Sequence, residues 1–159
     1  RMPKPIFKDN NLISIINENI DLLKAFDTNI QIDLNYDKSE IILNSDYEQL
    51  SRVFFNLIKN SIESIQEEMH ANKNLIGNID IQIHKNIDYI NFIIADNGVG
   101  FGIFANNIKD ILNPYFTTKK KGTGLGLAIV NKIINDHDGF IDFIPLDRGA
   151  KIQIKFKKK

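Results

Sequence analysis

The sequence contains no cysteine among its 159 residues. A disulfide framework is therefore excluded, and so is a metal site built from thiolate ligands. The sequence also lacks an apolar run long enough to span a membrane, and residues 1–5 do not have the pattern of a signal peptide. These absences fit a reducing cytoplasm, and we expect this chain to be soluble.

Net charge is also absent, because 20 lysines and arginines balance 20 aspartates and glutamates. A strongly basic balance would have indicated nucleic acid or an anionic membrane surface, so we expect neither as a partner. The length is that of one domain with a substantial core. No internal repeat and no extended low-complexity segment is present.

Two glycine clusters bracket the middle of the chain. The first is Asp96-Asn97-Gly98-Val99-Gly100, and the second is Gly122-Thr123-Gly124-Leu125-Gly126-Leu127. Glycine allows positive φ and a close approach between backbone and ligand. The second cluster continues into a helical pattern over 125–137, and backbone N–H groups at a helix start can bind an anion. We therefore predict a phosphate-binding loop, covered by a mobile lid over 102–121.

Each cluster has simpler interpretations when taken alone. Asp-Asn-Gly is a common turn, and Gly-x-Gly-x-Gly is often a plain loop. A dinucleotide-binding fingerprint would require a strand before its glycines, whereas three lysines at 119–121 precede them here. The P-loop is excluded because no Gly-Lys-Ser/Thr is present.

Two further blocks decide between these interpretations, one before the glycine clusters and one between them. They are Asn56-Leu57-Ile58-Lys59-Asn60-Ser61-Ile62-Glu63 and Pro114-Tyr115-Phe116-Thr117-Thr118-Lys119. In this order, the four blocks resemble the N box, first glycine box, F box and second glycine box of the GHKL (Bergerat-fold) ATP-binding superfamily. Residues 46–156 carry this resemblance, and it is most similar to the ATP-binding catalytic domain of sensor histidine kinases. The start of the chain resembles the junction after the dimerisation helices of NtrY-like nitrogen-regulation kinases.

The resemblance implies a role for each matching residue. Asp96 would accept the amino group of adenine, with Gly98 and Gly100 leaving room for the ring. Asn60 would be the Mg²⁺ ligand, because Mg²⁺ prefers oxygen ligands and keeps several waters, and Glu63 would support it. Lys119 would neutralise charge that develops during phosphoryl transfer. The residues expected to hold the phosphates are Thr118, Gly122, Thr123, Gly124, Leu125 and Gly126.

Asn56 indicates which reaction this site performs. Hydrolytic relatives such as gyrase have a glutamate at the matching position, where it polarises the attacking water. An amide is not a competent base, so the site is expected to present ATP to another nucleophile. The resemblance therefore assigns Asn56 and Lys119 to the catalytic step. Tyr115 and Phe116 resemble the F-box aromatics and would anchor the lid or pack against a partner helix, and a core position is the alternative for Phe116.

The resemblance implies a protein-histidine kinase that uses ATP and Mg²⁺. Its partner would be a dimerisation domain of the same kinase. A response regulator would be an indirect partner that receives the phosphate from that domain. His70, His84 and His137 lack the sequence context of a phosphoacceptor and are expected at the surface or at helix ends. We expect this domain to be a cytoplasmic monomer and its parent to be an inner-membrane sensor kinase. The alternatives are a nucleotide-binding regulatory module and an anti-sigma-type serine kinase of the same superfamily.

The apolar periodicity predicts an α+β fold, a two-layer sandwich with helices on one face of a mixed sheet. Residues 1–9 are expected to be a linker from a missing dimerisation domain, and 10–159 the catalytic domain. Helices are predicted over 11–26 and from an N-cap at Asp46, with a buried stripe in the second. Strands are predicted at 30–34 and 41–43, followed by hairpins at 79–95 and 139–156.

Overall fold

The computed structural model describes residues 3–27, 29–37, 40–100 and 126–158. Within these ranges the chain forms three helices and seven strands. The helices are α1 (Leu12–Lys24), α2 (Tyr47–Ala71) and α3 (Gly126–Asp136). The strands are β1 (Lys8–Asn11), β2 (Ile30–Tyr36), β3 (Ile42–Ser45), β4 (Gly77–Lys85), β5 (Tyr89–Asp96), β6 (Gly139–Pro145) and β7 (Ala150–Lys157).

Five strands form one mixed sheet in the order β2, β4, β5, β7, β6. Strands β2 and β4 are parallel, and every other pair in this sheet is antiparallel. The remaining strands, β1 and β3, form a separate antiparallel pair. The predicted α+β class and mixed sheet are confirmed.

The core lies between one face of the large sheet and the helices. Burial alternates residue by residue along β4 and β5, as a sheet covered on one face requires. Helix α2 contributes the stripe predicted from the sequence, and the Phe54 ring packs 4.9 Å from that of Phe92 on β5. Helix α3 packs on α2, and its Val130 and Ile133 are fully buried. The core thus lies between the sheet and both helices.

The N-terminal part of the chain is more ordered than its two prolines indicate. Strand β1 begins at Lys8, inside the segment 1–9, and pairs with β3. A four-residue strand with the sequence Lys-Asp-Asn-Asn carries no apolar alternation, which is why the pattern did not reveal it. Asn10 secures this pair, since its side chain donates to the Ser45 carbonyl at 2.9 Å.

The helix boundaries agree closely with the sequence predictions. Asp46 is the N-cap of α2, and its side chain accepts from the Gln49 N–H at 2.9 Å. Asn11 caps α1 in the same way. No helix among the described residues is both long and apolar enough to cross a membrane.

Candidate functional site

Asp96 is the last residue of β5, in the middle of the large sheet. Only 8% of it is exposed. Burial raises the pKa of this carboxyl because water no longer solvates the charged form, while the Gly98 N–H, the Ser61 hydroxyl and the Ala150 N–H favour the charged form and oppose the shift. The hydrogen bond from the Gly98 N–H measures 2.9 Å. A buried carboxylate beside donor groups is suited to recognise a further donor on a ligand.

Gly98 lies directly against the backbone of α2. A Cβ atom there would come within 2.5 Å of the Ser64 carbonyl carbon and 2.6 Å of the Ile65 nitrogen. The neighbouring Val99 N–H donates to the Ser64 carbonyl at 3.3 Å. Glycine is required here by contact with the helix, in addition to any space needed by a ligand.

Gly149 supports Asp96 from the turn between β6 and β7. Its φ is +91°, and a Cβ atom would come 1.8 Å from the backbone oxygen of Asp96. Both the conformation and the contact exclude a side chain. The next residue, Ala150, pairs with Asp96 across the sheet, and its N–H favours the charged form of the carboxyl. Gly149 lies outside both glycine clusters, so the motifs gave no sign of this positioning role.

Asn97 ties the end of β5 to the chain that enters β4. Its side-chain oxygen accepts from the Asn78 N–H at 2.9 Å, and its nitrogen donates to the Ile76 carbonyl at 2.8 Å. The first glycine cluster therefore contains an asparagine with a structural task. Nothing in the spacing alone distinguishes this task from ligand binding.

Helix α2 carries the predicted asparagines toward the same end of the sheet. Asn56 and Asn60 are both partly buried and lie one turn apart. Asn60 is followed directly by Ser61, whose hydroxyl lowers the pKa of Asp96, so the predicted metal ligand is next in sequence to the helix residue that influences the carboxyl. Asn60 and Glu63 each interact with other groups of the protein. The structure thus brings Asp96, Gly98 and the Asn60 segment together.

A magnesium ion would be held here only if a bound molecule supplied further oxygen ligands. No group of three or more His, Cys, Asp and Glu side chains that could hold a metal occurs within residues 3–27, 29–37, 40–100 and 126–158. Mg²⁺ needs one or two protein oxygens when phosphate oxygens and water complete its shell. An amide oxygen such as that of Asn60 is of the kind such a shell uses, and the described residues supply no cage that would bind the metal alone.

The second glycine cluster is described only at its end. Gly126 is the first residue of α3, and a Cβ atom there would meet none of the described residues within 4 Å. The other predicted site residues in this region lie outside the described residues: Tyr115, Phe116, Thr118, Lys119, Gly122, Thr123, Gly124 and Leu125. The predicted lid at 102–121 lies outside them too.

Comparison with known protein families gives a direct match. Residues 45–159 match the family model described as histidine kinase-, DNA gyrase B-, and HSP90-like ATPase. The matched region contains Asp46, the N-cap of α2, and every predicted site residue.

Relatives and solved structures agree with this match. The chain is 35% identical to an NtrY-like sensor histidine kinase of Rickettsia typhi, over all of this chain and 25% of that protein. It is 32% identical to nitrogen regulation protein NtrY of Azorhizobium caulinodans, over 99% of this chain and 20% of that protein. It therefore spans about a quarter of the length of these curated relatives.

A solved structure of the catalytic domain of histidine kinase ThkA superposes with a TM-score of 0.82 and 26% identity. The match covers 96% of each chain. Because nearly all of this chain is aligned, the five-stranded sheet and the helices resemble those of that domain together. On these findings, the chain belongs to the family of histidine kinase-, DNA gyrase B- and HSP90-like ATPases.

Proposed function

We propose that this chain is the ATP-binding catalytic domain of a sensor histidine kinase. It binds Mg-ATP and transfers the γ-phosphate to a histidine on a separate dimerisation domain, for relay to a response regulator. The observation that carries the proposal is Asp96, a buried carboxylate at a strand end whose own hydrogen bonds leave it poised to accept the adenine amino group. Guanine would present a carbonyl oxygen to the same carboxylate, which disfavours it.

The metal and the phosphates would be held beside the adenine bound at Asp96. Asn60 would contribute an amide oxygen to Mg²⁺, which neutralises phosphate charge when bound. The N–H groups of 122–126 would hold the triphosphate at the start of α3, and Lys119 would balance the charge of the transferred group. These roles remain proposals, as does the assignment of residues 1–9 to a linker.

The environment of His137, in particular, supports an acceptor on another domain. His137 is buried, and both of its ring nitrogens are in hydrogen-bond contact, with the Asp46 N–H and the Ile133 carbonyl. His70 is exposed in the last turn of α2, and His84 lies 3.6 Å from Asp37 on the sheet. A phosphoryl acceptor needs a free nitrogen in line with the γ-phosphate, and His137 offers none.

Asn56 supports transfer over hydrolysis. It lies one helical turn before Asn60 and is partly buried, so its amide occupies the place where a carboxylate base would activate water. The domain should therefore hold ATP without consuming it quickly. The γ-phosphate would leave only when an imidazole is brought into line.

Radiolabelled ATP tests this proposal. Incubated alone with Mg-ATP, the chain should remain unlabelled and release little phosphate. When the dimerisation domain of the same kinase is added, that domain should acquire a phosphate that is labile in acid and stable in base. The Asp96→Asn variant is the matched control and should transfer little. Labelling of His70, His84 or His137, or rapid hydrolysis by the chain alone, would contradict the proposal.

A further inference from the structure

The segment at residues 3–7, which precedes β1, lies in extended form against the start of α2. The Gln49 side-chain nitrogen donates to the Pro3 carbonyl at 3.1 Å, and the Ile6 N–H donates to Asp46 Oδ2 at 2.8 Å. Both contacts are made to the backbone of the segment. The prolines at positions 3 and 5 favour an extended backbone, because each restricts its own φ and keeps the residue before it out of the helical conformation.

Asp46 divides its two carboxylate oxygens between two tasks. Oδ1 accepts from the Gln49 N–H and caps α2, while Oδ2 accepts from Ile6. The cap is therefore complete whether or not the segment is in place. The segment can leave this surface without uncapping the helix, so its docking is separable from the folding of α2.

His137 connects the same place to the end of α3. Its Nδ1 lies 2.8 Å from the Ile133 carbonyl, which can only accept, so Nδ1 carries the proton. Nε2 is then the acceptor for the Asp46 N–H at 3.1 Å. The Phe7 ring packs edge-on against the imidazole at 5.1 Å. One buried side chain thus touches the segment, the start of α2 and the last turn of α3.

Helix α3 joins this surface to the proposed phosphate site. It begins at Gly126, where the second glycine cluster ends, and its 11 residues run to Asp136, next to His137. An α-helix of that length spans about 16 Å. Its residues form one continuous helix, and Val130, Ile133 and Ile134 pack it against the core. A shift at one end of α3 therefore moves the other end with it.

We propose that Asp46, Gln49 and His137 form a recognition site for the segment at 3–7, and that α3 couples docking of this segment to nucleotide binding. The coupling rests on the proposed function, since it requires that the start of α3 binds the phosphates. Docking holds α3 in the position that nucleotide needs. Linkage then requires that nucleotide strengthens docking by the same factor by which docking strengthens nucleotide binding.

The first measurement is hydrogen exchange at the Ile6 amide, with and without a saturating non-hydrolysable ATP analogue and Mg²⁺. In the wild type without nucleotide, the bond to Asp46 should slow exchange well below the rate of an unstructured peptide. The analogue should slow it further, by about fivefold or more. Exchange at the peptide rate without nucleotide would overturn the recognition site, and an unchanged rate with the analogue would overturn the coupling.

The second measurement is nucleotide affinity of the Asp46→Ser variant. Serine is as good an N-cap as aspartate but has no second oxygen for Ile6. The variant should bind the analogue about fivefold or more weakly. Glu48→Ser is the control, because Glu48 is an exposed acidic residue of the same helical turn, and it should bind as the wild type does. Equal affinities for Asp46→Ser and Glu48→Ser would overturn the coupling.

A third measurement separates the two proposals. Nitrogen-15 spectra of the His137 imidazole should show a neutral ring protonated at Nδ1, and a proton on Nε2 would overturn its part in the site. If the wild type binds no nucleotide, the proposed function fails and the coupling fails with it, whereas slow exchange at Ile6 and the Nδ1 tautomer would still support recognition of the segment.

Discussion

Replacing Asp96 by asparagine tests the centre of the proposed nucleotide site with almost no change of shape. The amide keeps one oxygen, which can still accept from the Gly98 N–H as the carboxylate does at 2.9 Å. It loses the negative charge and one acceptor. The adenine amino group would then face a weaker acceptor or an NH₂ group, and the variant should bind ATP and ADP less tightly.

The size of the effect follows from the kind of bond removed. A hydrogen bond to a charged group contributes about 1.5 to 3 kcal/mol. This corresponds to a rise in Kd of about 10- to 150-fold, because each 1.4 kcal/mol is a factor of about ten. We expect the upper part of this range, since Asp96 is only 8% exposed and water cannot replace the lost acceptor.

The same substitution should lower affinity but, as pH rises, improve the stability of the variant relative to wild type. Burial raises the pKa of Asp96 above its unfolded value, so between these two values the folded protein binds more protons than the unfolded chain. The free energy of unfolding therefore falls as pH rises through that window. Asparagine has no such titration. Without nucleotide, the stability of Asp96→Asn relative to wild type should improve as pH rises from about 4 toward neutrality.

Calorimetric titration with ADP, and urea unfolding at several pH values, would measure both effects. A loss of affinity together with the relative gain in stability would identify Asp96 as a charged group held for a ligand. Wild-type affinity in the variant would remove Asp96 from adenine recognition. An unchanged stability difference across the pH range would refute the argument from burial.

Four other substitutions follow from the geometry. Asn60→Ala should weaken nucleotide binding mainly in the presence of Mg²⁺, and equal weakening in a chelator would contradict its role as metal ligand. Gly149→Ala should lower the free energy of unfolding by about 1 to 3 kcal/mol or more, because it imposes a positive φ on alanine and a clash with the Asp96 carbonyl; wild-type stability in urea would refute this. Gly98→Ala should displace the first glycine cluster from α2 and reduce both stability and ADP affinity, so wild-type values for both would count against the contact with Ser64. Gly126→Ala meets none of the described residues within 4 Å and should lower affinity for ATP, and unchanged affinity would remove Gly126 from the phosphate site.

The sequence predicted most elements because their burial is periodic. The stripe on α2 and the alternation along β4 and β5 follow directly from one apolar face, and both hairpins were found from that pattern. Strand β1 has no apolar alternation and was missed. The parallel pairing of β2 with β4 joins segments on either side of α2, and local patterns do not specify such pairings.

The motifs predicted the residues of the candidate site, but they did not predict the groups that surround the Asp96 carboxylate. Asp96 was identified from a short motif and the resemblance that four ordered motifs carry. The groups that hold its carboxylate come from α2, from the loop after β5 and from the start of β7. Those contacts depend on the register that places Ala150 opposite Asp96, which becomes visible only when the sheet is assembled.

This distribution of donors gives the site its physical character. Groups of the helix, the loop and the sheet all favour the charged form of Asp96, so that form is best stabilised when α2 is packed on the sheet and the turn at Gly149 is closed. Burial still raises the pKa of Asp96, because these groups do not offset the loss of water entirely. A ligand that brings a further donor would offset more of this cost. Binding of an adenine nucleotide should therefore stabilise the packing of α2, the β5 loop and the β6–β7 turn together, because the same carboxylate joins all three.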